Sequence, residues 1–261
     1  MDIRRATLDD APAILSLVLA AMPNEEQWRY CFPSSAVPAS DVGRAFQVVL
    51  ERCLADDDGN LHISLLEVPH GNANAAPRIV SVAMWENAVV GTEGRQTVAR
   101  GPWHGWCCAL FAVVDETDTR PVDLAQILLH VPPTTHQVDT SRLVGAVEAA
   151  NQGRGRYLDG YGPQMYLHLL ATHPDHRHRG YAKALCNWTM KAAIQDKLAV
   201  SLLASPRGYI FFSGLGFVDL GPISLPRSTS WEDGLNLKAM AFLPERTASR
   251  RSSLMSFFGL S

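Results

Sequence analysis

Residues 167–180 read LHLLATHPDHRHRG, and YAKAL follows at 181–185. An apolar run ends in a Thr-His-Pro-Asp turn, passes through Arg177-His178-Arg179-Gly180-Tyr181-Ala182 and enters a helix-like segment. A strand that feeds a short basic loop, which opens directly into a helix, is the outline of an anion site. The first N–H groups of a helix have no internal partners, and the helix dipole adds partial positive charge beside them. Gly180 removes a side chain where backbone must come close to a phosphate. Ala182 keeps the first turn thin, and Arg177 and Arg179 add charge. The ligand to expect here carries a pyrophosphate.

Downstream of this loop, residues 198–204 (LAVSLLA) read as a strand. Residues 205–217 (SPRGYIFFSGLGF) read as a short helix ending in Leu215-Gly216-Phe217. The strand before the loop spans 165–172, and alternation along it puts 166, 168, 170 and 172 on one face. Tyr166 and His168 then point the same way. At the N-terminus, 2–6 alternate like an edge strand. Asp9 or Asp10 caps a helix over 11–22 with Ile14, Leu15, Val18 and Leu19 on its apolar face, and Pro23 and Asn24 end it. Ser40 or Asp41 caps a second helix through 54, whose apolar face is Ala45, Phe46, Val49, Leu50 and Cys53. Strands follow at 61–68 and 79–85, joined by a hairpin loop at 70–77. The order so far is β-α-α-β-β.

The pattern then loosens. Gly91, Gly94, Gly101, Pro102 and Pro121 punctuate an apolar patch at 106–114. Helices are expected over 122–131 and 140–150, and Gly153, Gly155, Gly160 and Gly162 mark a loop before the main strand. Beyond a strand at 217–220, residues 222–235 read as a polar loop containing Trp231, and 237–243 as the last strand. Residues 244–261 are rich in Ser and Arg and read as a flexible tail.

The spacing Arg177-x-x-Gly180-x-Ala182 resembles the acyl-CoA-binding signature of the GCN5-related N-acetyltransferase (GNAT) superfamily. The strand at 198–204 and the Leu215-Gly216-Phe217 helix end follow in that family's order and distance. Ile3-Arg4-Arg5-Ala6-Thr7 with Asp9-Asp10 looks like its usual opening. The resemblance is strong over 164–221 and does not cover 87–160. It implies an α+β fold, with a mixed central sheet of about six to seven strands, splayed at the cofactor site and flanked by helices. On this reading 1–243 form one acyltransferase domain with an insertion at about 87–160, partly helical and covering the acceptor side.

The resemblance also implies roles. Leu170, Ala171 and Thr172 would pair their free backbone with pantetheine. Arg177, His178, Arg179, Gly180, Tyr181 and Ala182 would hold the pyrophosphate. Ser205 stands where many relatives carry an Asn facing the pantetheine. Tyr166 and His168 occupy the strand positions of two histidines in arylalkylamine N-acetyltransferase, so one half of that pair matches. A His with an ordinary pKa near neutrality suits relay of a proton from an amine, and His168 is the candidate base; a core histidine bonded to backbone is the alternative. The family's acid is a Tyr in Leu-Tyr-x-x-Leu-Gly-Phe, but here that position is Phe212, which has no proton to give. Tyr209, one turn back, is the substitute to test, with packing around the cofactor as its other reading. His173, His176 and His178 flank a phosphate loop and read as phosphate-side or solvent-facing rather than as metal ligands.

The chain has 261 residues, of which 47% are apolar, ample for one large core. Acidic residues outnumber basic ones by 26 to 23, which argues against a general nucleic-acid binder. Cys31, Cys53, Cys107, Cys108 and Cys186 form no CxxC, and Arg4, Arg5, Asp9 and Asp10 interrupt any apolar leader. Buried free thiols in a reducing, cytoplasmic setting are expected. No apolar run approaches the length of a membrane span. Trp28, Tyr30, Trp85, Trp103, Trp106 and Trp231 border the acceptor side in sequence, and Glu25 or Glu26 could hold a cation there. The expectation is an acetyl-CoA-dependent N-acetyltransferase acting on a small-molecule amine, without a metal. The alternatives are a protein lysine or N-terminal acetyltransferase, a CoA-binding protein without activity, and a different reaction on the same fold.

Overall fold

The computed structural model describes residues 1–31, 39–55, 61–69, 76–88, 112–114, 121–123, 140–226 and 234–244. Its frame is a seven-stranded mixed sheet with β1 (Asp2–Arg5), β2 (Leu61–Val68), β3 (Arg78–Ala88), β6 (Gln164–Thr172), β7 (Ala199–Ala204), β8 (Val218–Leu225) and β9 (Leu235–Phe242). The order is β1-β2-β3-β6-β7-β9-β8. Every neighbouring pair is antiparallel except β6 and β7, which run parallel. A parallel pair needs a crossover, and helix α5 (Tyr181–Gln195) supplies it. In a separate two-stranded sheet, β4 (Ala112–Val114) pairs antiparallel with β5 (Pro121–Asp123).

Helices cover both faces of the sheet. On one lie α1 (Ala11–Ala21), α2 (Glu26–Cys31), α3 (Ala39–Leu54) and α4 (Thr140–Tyr157), burying Ile14, Val18, Tyr30, Phe46, Leu50 and Ala150 against Leu65, Val82 and Leu237. On the other lie α5 and α6 (Pro206–Ser213), burying Leu185, Cys186, Met190 and Phe212 against Ala83, Leu167, Val200 and Met240. The buried residues of α1 are Ala11, Ile14, Leu17, Val18 and Ala21, the three-and-four spacing of a one-sided helix. Phe46 and Leu50 of α3 have no exposed surface; burial of each is worth about 1.5–3 kcal/mol over leaving it in water.

Several expectations need correction. Helix α2 stands where no element was expected. Residues 121–123, partly inside the expected helix at 122–131, are a strand that pairs Val122 with Val113; β-branched residues favour that state. The rest of 122–131 lies outside the described residues, as do 70–75, 227–233 and the tail from 245. Gly153 and Gly155 do not mark a loop but sit inside α4. A Cβ at Gly153 would stand 2.2 Å from Ile223 Cδ1, so this glycine lets the helix lie close against β8. The expected loop from 222 is shorter, because β8 continues to Leu225 and buries Ile223 and Leu225. Pro222 is tolerated there because β8 is an edge strand.

The N-terminal strand is held to α1 by charge. Arg4 donates to both carboxylate oxygens of Asp10, at 2.7 and 2.8 Å, and also to Glu67. The Arg4 hydrogen bonds, with others from Thr7, hold the Asp10 carboxyl down at about 2. Asp10 thus locks strand to helix rather than accepting a cap bond from α1.

Candidate active site

Strands β6 and β7 pair only from Gln164–Ala199 to Leu167–Leu202. Beyond that point β6 continues along β3 to Thr172, and β7 continues along β9 to Ala204. The two strands therefore part, and a cleft of about 660 Å³ opens between them. Leu170, Ala171 and Thr172 form one edge of it, and Leu203, Ala204 and Ser205 the other. The backbone at 170–172 is the edge that faces into the gap.

The register of β6 against β3 steps at the same place. Met84 lies opposite Leu169 and Trp85 opposite Leu167, so His168 is one residue extra. Such a bulge bends its strand and re-aims the side chains beyond it. This overturns the expected alternation of 166, 168, 170 and 172. Tyr166, Leu169 and Ala171 face the α1–α3 side, whereas Leu167 and Leu170 face the α5 side. Tyr166 and His168 remain together, with ring centroids 4.8 Å apart.

At the end of β6 the basic loop turns through left-handed backbone at His178 (φ 61°) and Gly180 (φ 80°). Gly180 is the N-cap of α5 and offers no side chain to the first N–H groups. A Cβ there would meet nothing within 4 Å, so the space over the helix N-terminus is open. His178, Gly180, Tyr181 and Ala182 line the cleft. Arg177 also lines it, but its charge is engaged. Its Nη2 donates 2.9 Å to the Ala21 carbonyl and its Nε 3.4 Å to the Thr172 carbonyl. A cation on the last turn of α1 suits the dipole and fixes the loop against that helix. Arg179 is exposed and donates 3.2 Å to the Asp175 carbonyl.

The far wall comes from α2 and the turn that joins it to α1, through Met22, Glu25, Gln27, Trp28 and Cys31. Of the expected aromatic border, Trp28 lines the cleft, Trp85 and Tyr30 are wholly buried, and Trp103, Trp106 and Trp231 lie outside the described residues. Arg207 of α6 reaches across, 3.4 Å from the Asn24 carbonyl and 4.0 Å from Glu25 Oε1. Ser205 caps α6 by accepting from the Gly208 N–H at 3.2 Å. Phe212 lines the cleft and packs its ring 5.3 Å from that of Phe217. Tyr209 does not line the cleft; its ring lies 5.9 Å below Lys238 Nζ on β9. The turn of α6 that carries Phe212 to the cleft carries Tyr209 toward the sheet.

Behind the bulge lies a buried polar cluster. His168 Nε2 is 2.9 Å from Glu86 Oε2, and Arg154 Nη2 donates 3.4 Å to the same oxygen. The Arg154 guanidinium stacks 3.8 Å from the Tyr166 ring centroid. The His168 side chain has no exposed surface, and those of Glu86 and Arg154 are 4% and 9% exposed. Burial pushes the His168 imidazole below its ordinary pKa, against the pull of the Glu86 hydrogen bond and charge and with the push of Arg154. A carboxylate only accepts, so Nε2 carries the proton and Nδ1 the basic lone pair. Neither Glu86 nor Arg154 was legible as a site residue. The sequence shows only a lone carboxylate closing the apolar run IVSVAMWE, and a Gly-Arg-Gly whose glycines suggest a loop.

Among the described residues no group of three or more His, Cys, Asp or Glu is placed to hold a metal ion. No helix there is long and apolar enough to cross a membrane. Cys31, Cys53 and Cys186 are buried.

Residues 102–217 match the family model described as the acetyltransferase (GNAT) family; the span begins inside the stretch 87–160 that the motifs do not cover. The sequence has no significant match among curated proteins. Among solved structures, a histone acetyltransferase HPA2 and related acetyltransferase from Corynebacterium glutamicum aligns over 93% of this chain and 95% of its own, at 19% identity and a TM-score of 0.52. A mosquito arylalkylamine N-acetyltransferase like 5b covers 93% and 99%, at 15% identity and 0.51. The Drosophila melanogaster polyamine N-acetyltransferase, which forms N-acetylagmatine, covers 93% and 99%, at 12% identity and 0.51. At these identities the likeness is one of fold. The parted strands and the glycine-capped helix behind them lie within the span that is similar to the acetyltransferase (GNAT) family.

Proposed function

We propose that the protein transfers an acetyl group from acetyl-CoA to the amine of a small molecule, by direct attack within the cleft between β6 and β7. The observation that carries this reading is the parting of those strands after Leu167 and Leu202, beside an open helix N-terminus at Gly180. The free edge at 170–172 suits an amide-bearing pantetheine arm, and the N–H groups of 179–182 suit a pyrophosphate. Acetyl-CoA would supply an acyl carbon activated by a thiolate leaving group.

The chain's own residues account for the rest. An N–H of the 170–172 edge polarises the thioester carbonyl, as oxyanion donors do. His168, held neutral by burial, accepts the proton lost by the amine. Its ring has no exposed surface, so the proton arrives by relay rather than by contact with the acceptor. Phe212 has no proton to give the thiolate, and a thiol pKa near 8.5 makes that leaving group tolerable without one. Met22 and Trp28 offer the acceptor an apolar wall, and Glu25 a carboxylate for a cationic group. Small-amine acetyltransferases on the same fold support this acceptor class.

Phe212 favours a second reading, in which CoA is bound but amine acetylation is not the reaction. Calorimetric titration with CoA, followed by thiol release from acetyl-CoA across aryl, alkyl and polyamine acceptors and short peptides, separates the two. Amine-dependent thiol release with a mass gain of one acetyl on the amine is expected. CoA binding without amine-dependent release would select the second reading, and no CoA binding would exclude both.

A further inference from the structure

The polar cluster behind β6 contains a group that the motifs leave out. Arg154 enters from α4, whose close seat on β8 depends on Gly153. Its guanidinium and the His168 ring address the same oxygen, Glu86 Oε2. Arg154 also lies flat on Tyr166, whose ring meets His168 edge-on. Among the described residues, Glu86 from β3 and Arg154 from α4 are the charged groups that act on His168. Tyr166 flanks it on its own strand, and Glu25 and Cys31 line the same cleft from the α2 side.

Charge balance gives this arrangement a purpose. A buried carboxylate demands a counter-charge. A guanidinium and an imidazolium on one carboxylate oxygen repel each other, so the fixed charge of Arg154 favours an uncharged imidazole. Without Arg154 that repulsion is lost, and the carboxylate draws a proton onto His168 more readily. An imidazolium cannot accept a proton.

We propose that Arg154 is a positioning residue for proton transfer: sharing the Glu86 oxygen with the imidazole, its fixed charge opposes a second positive charge on His168 and keeps Nε2–H directed at the carboxylate. This rests on the reading of His168 as the proton acceptor. Tyr166 serves as the flat platform that holds the guanidinium at Oε2.

The test is the acid limb of the kcat/KM profile, together with an NMR titration of the His168 imidazole in the unliganded protein. Activity rises as the acceptor loses its proton, so a higher imidazole pKa moves the limb to higher pH. Arg154→Gln should move both the limb and the NMR midpoint up by roughly one to three pH units, the size of one neighbouring charge's effect on a titrating group. Arg154→Lys, which keeps the charge, should restore most of that shift. Glu86→Gln should move both the other way, which a merely structural role would not do, and it keeps the test open if Arg154→Gln does not fold. Unchanged midpoints in both Arg154→Gln and Glu86→Gln would overturn the proposal. A midpoint that moves while the limb stays would overturn the proton-acceptor reading of His168, and with it this role for Arg154, leaving only the coupling between the two groups.

Discussion

Gly180 offers the sharpest separation between folding and ligand binding. In the free protein an alanine Cβ there meets no atom within 4 Å, so Gly180→Ala creates no clash. Its cost to the fold is the left-handed backbone, φ 80°, at about 1–2 kcal/mol for a residue with a Cβ. For a chain of this size each kcal/mol lowers Tm by about 2–4 °C, so the variant should remain folded at room temperature. Ligand binding should suffer separately. The added methyl stands over the α5 N-terminus, where a pyrophosphate would accept from backbone N–H groups. Loss of one hydrogen bond to a charged group costs about 1.5–3 kcal/mol, or roughly ten- to a hundredfold in Kd. Calorimetry with two ligands reads this directly. CoA should bind Gly180→Ala at least tenfold more weakly than the parent, while pantetheine, which lacks the pyrophosphate, should bind both alike. Equal losses for CoA and pantetheine, or no loss for either, would refute the placement of the pyrophosphate.

Other expectations follow from the same geometry. Gly153→Ala drives a methyl into Ile223 and should cost about 1–3 kcal/mol by overpacking; urea melting of a double-mutant cycle with Ile223→Ala should show a cost well below the sum of the two, and strict additivity would contradict the contact. Tyr209→Phe should leave turnover and CoA affinity unchanged, because its ring faces β9 rather than the cleft; a large fall in kcat would return it to the chemistry. Phe212→Tyr places a hydroxyl on the cleft wall and should raise kcat if thiolate departure limits the rate; no change would show that another step does. Asp10, held at about 2 when folded against an ordinary 3.8, contributes stability that is complete above pH 3.8 and is lost as pH falls through about 2. The acid melting curve of Asp10→Asn should be flatter over that window, and an identical curve would mean the Arg4–Asp10 pair is not what titrates.

What a sequence displays is what lies close along the chain. The anion loop, its helix and the Leu215-Gly216-Phe217 end fall within about fifty residues and depend on local rules: a left-handed glycine, an exposed helix N-terminus and apolar alternation. Residues 167–180 therefore announced the cleft, and the fold with it. Local rules also misled. Alternation along β6 failed at His168 because a bulge is a disagreement between two strands, and β3 is some eighty residues distant. Glycines at 153 and 155 read as a loop because their reason is a contact with Ile223 across the domain. The polar cluster was invisible for the same cause. Glu86, Arg154 and His168 come from separate elements, and only sheet pairing and the seating of α4 bring their charges to one oxygen. The chain by itself determined the strand, the basic loop and the glycine-capped helix that line the cleft; the tertiary structure decided which charges surround the imidazole beside it, because burial and charge balance are properties of packing rather than of order along the chain.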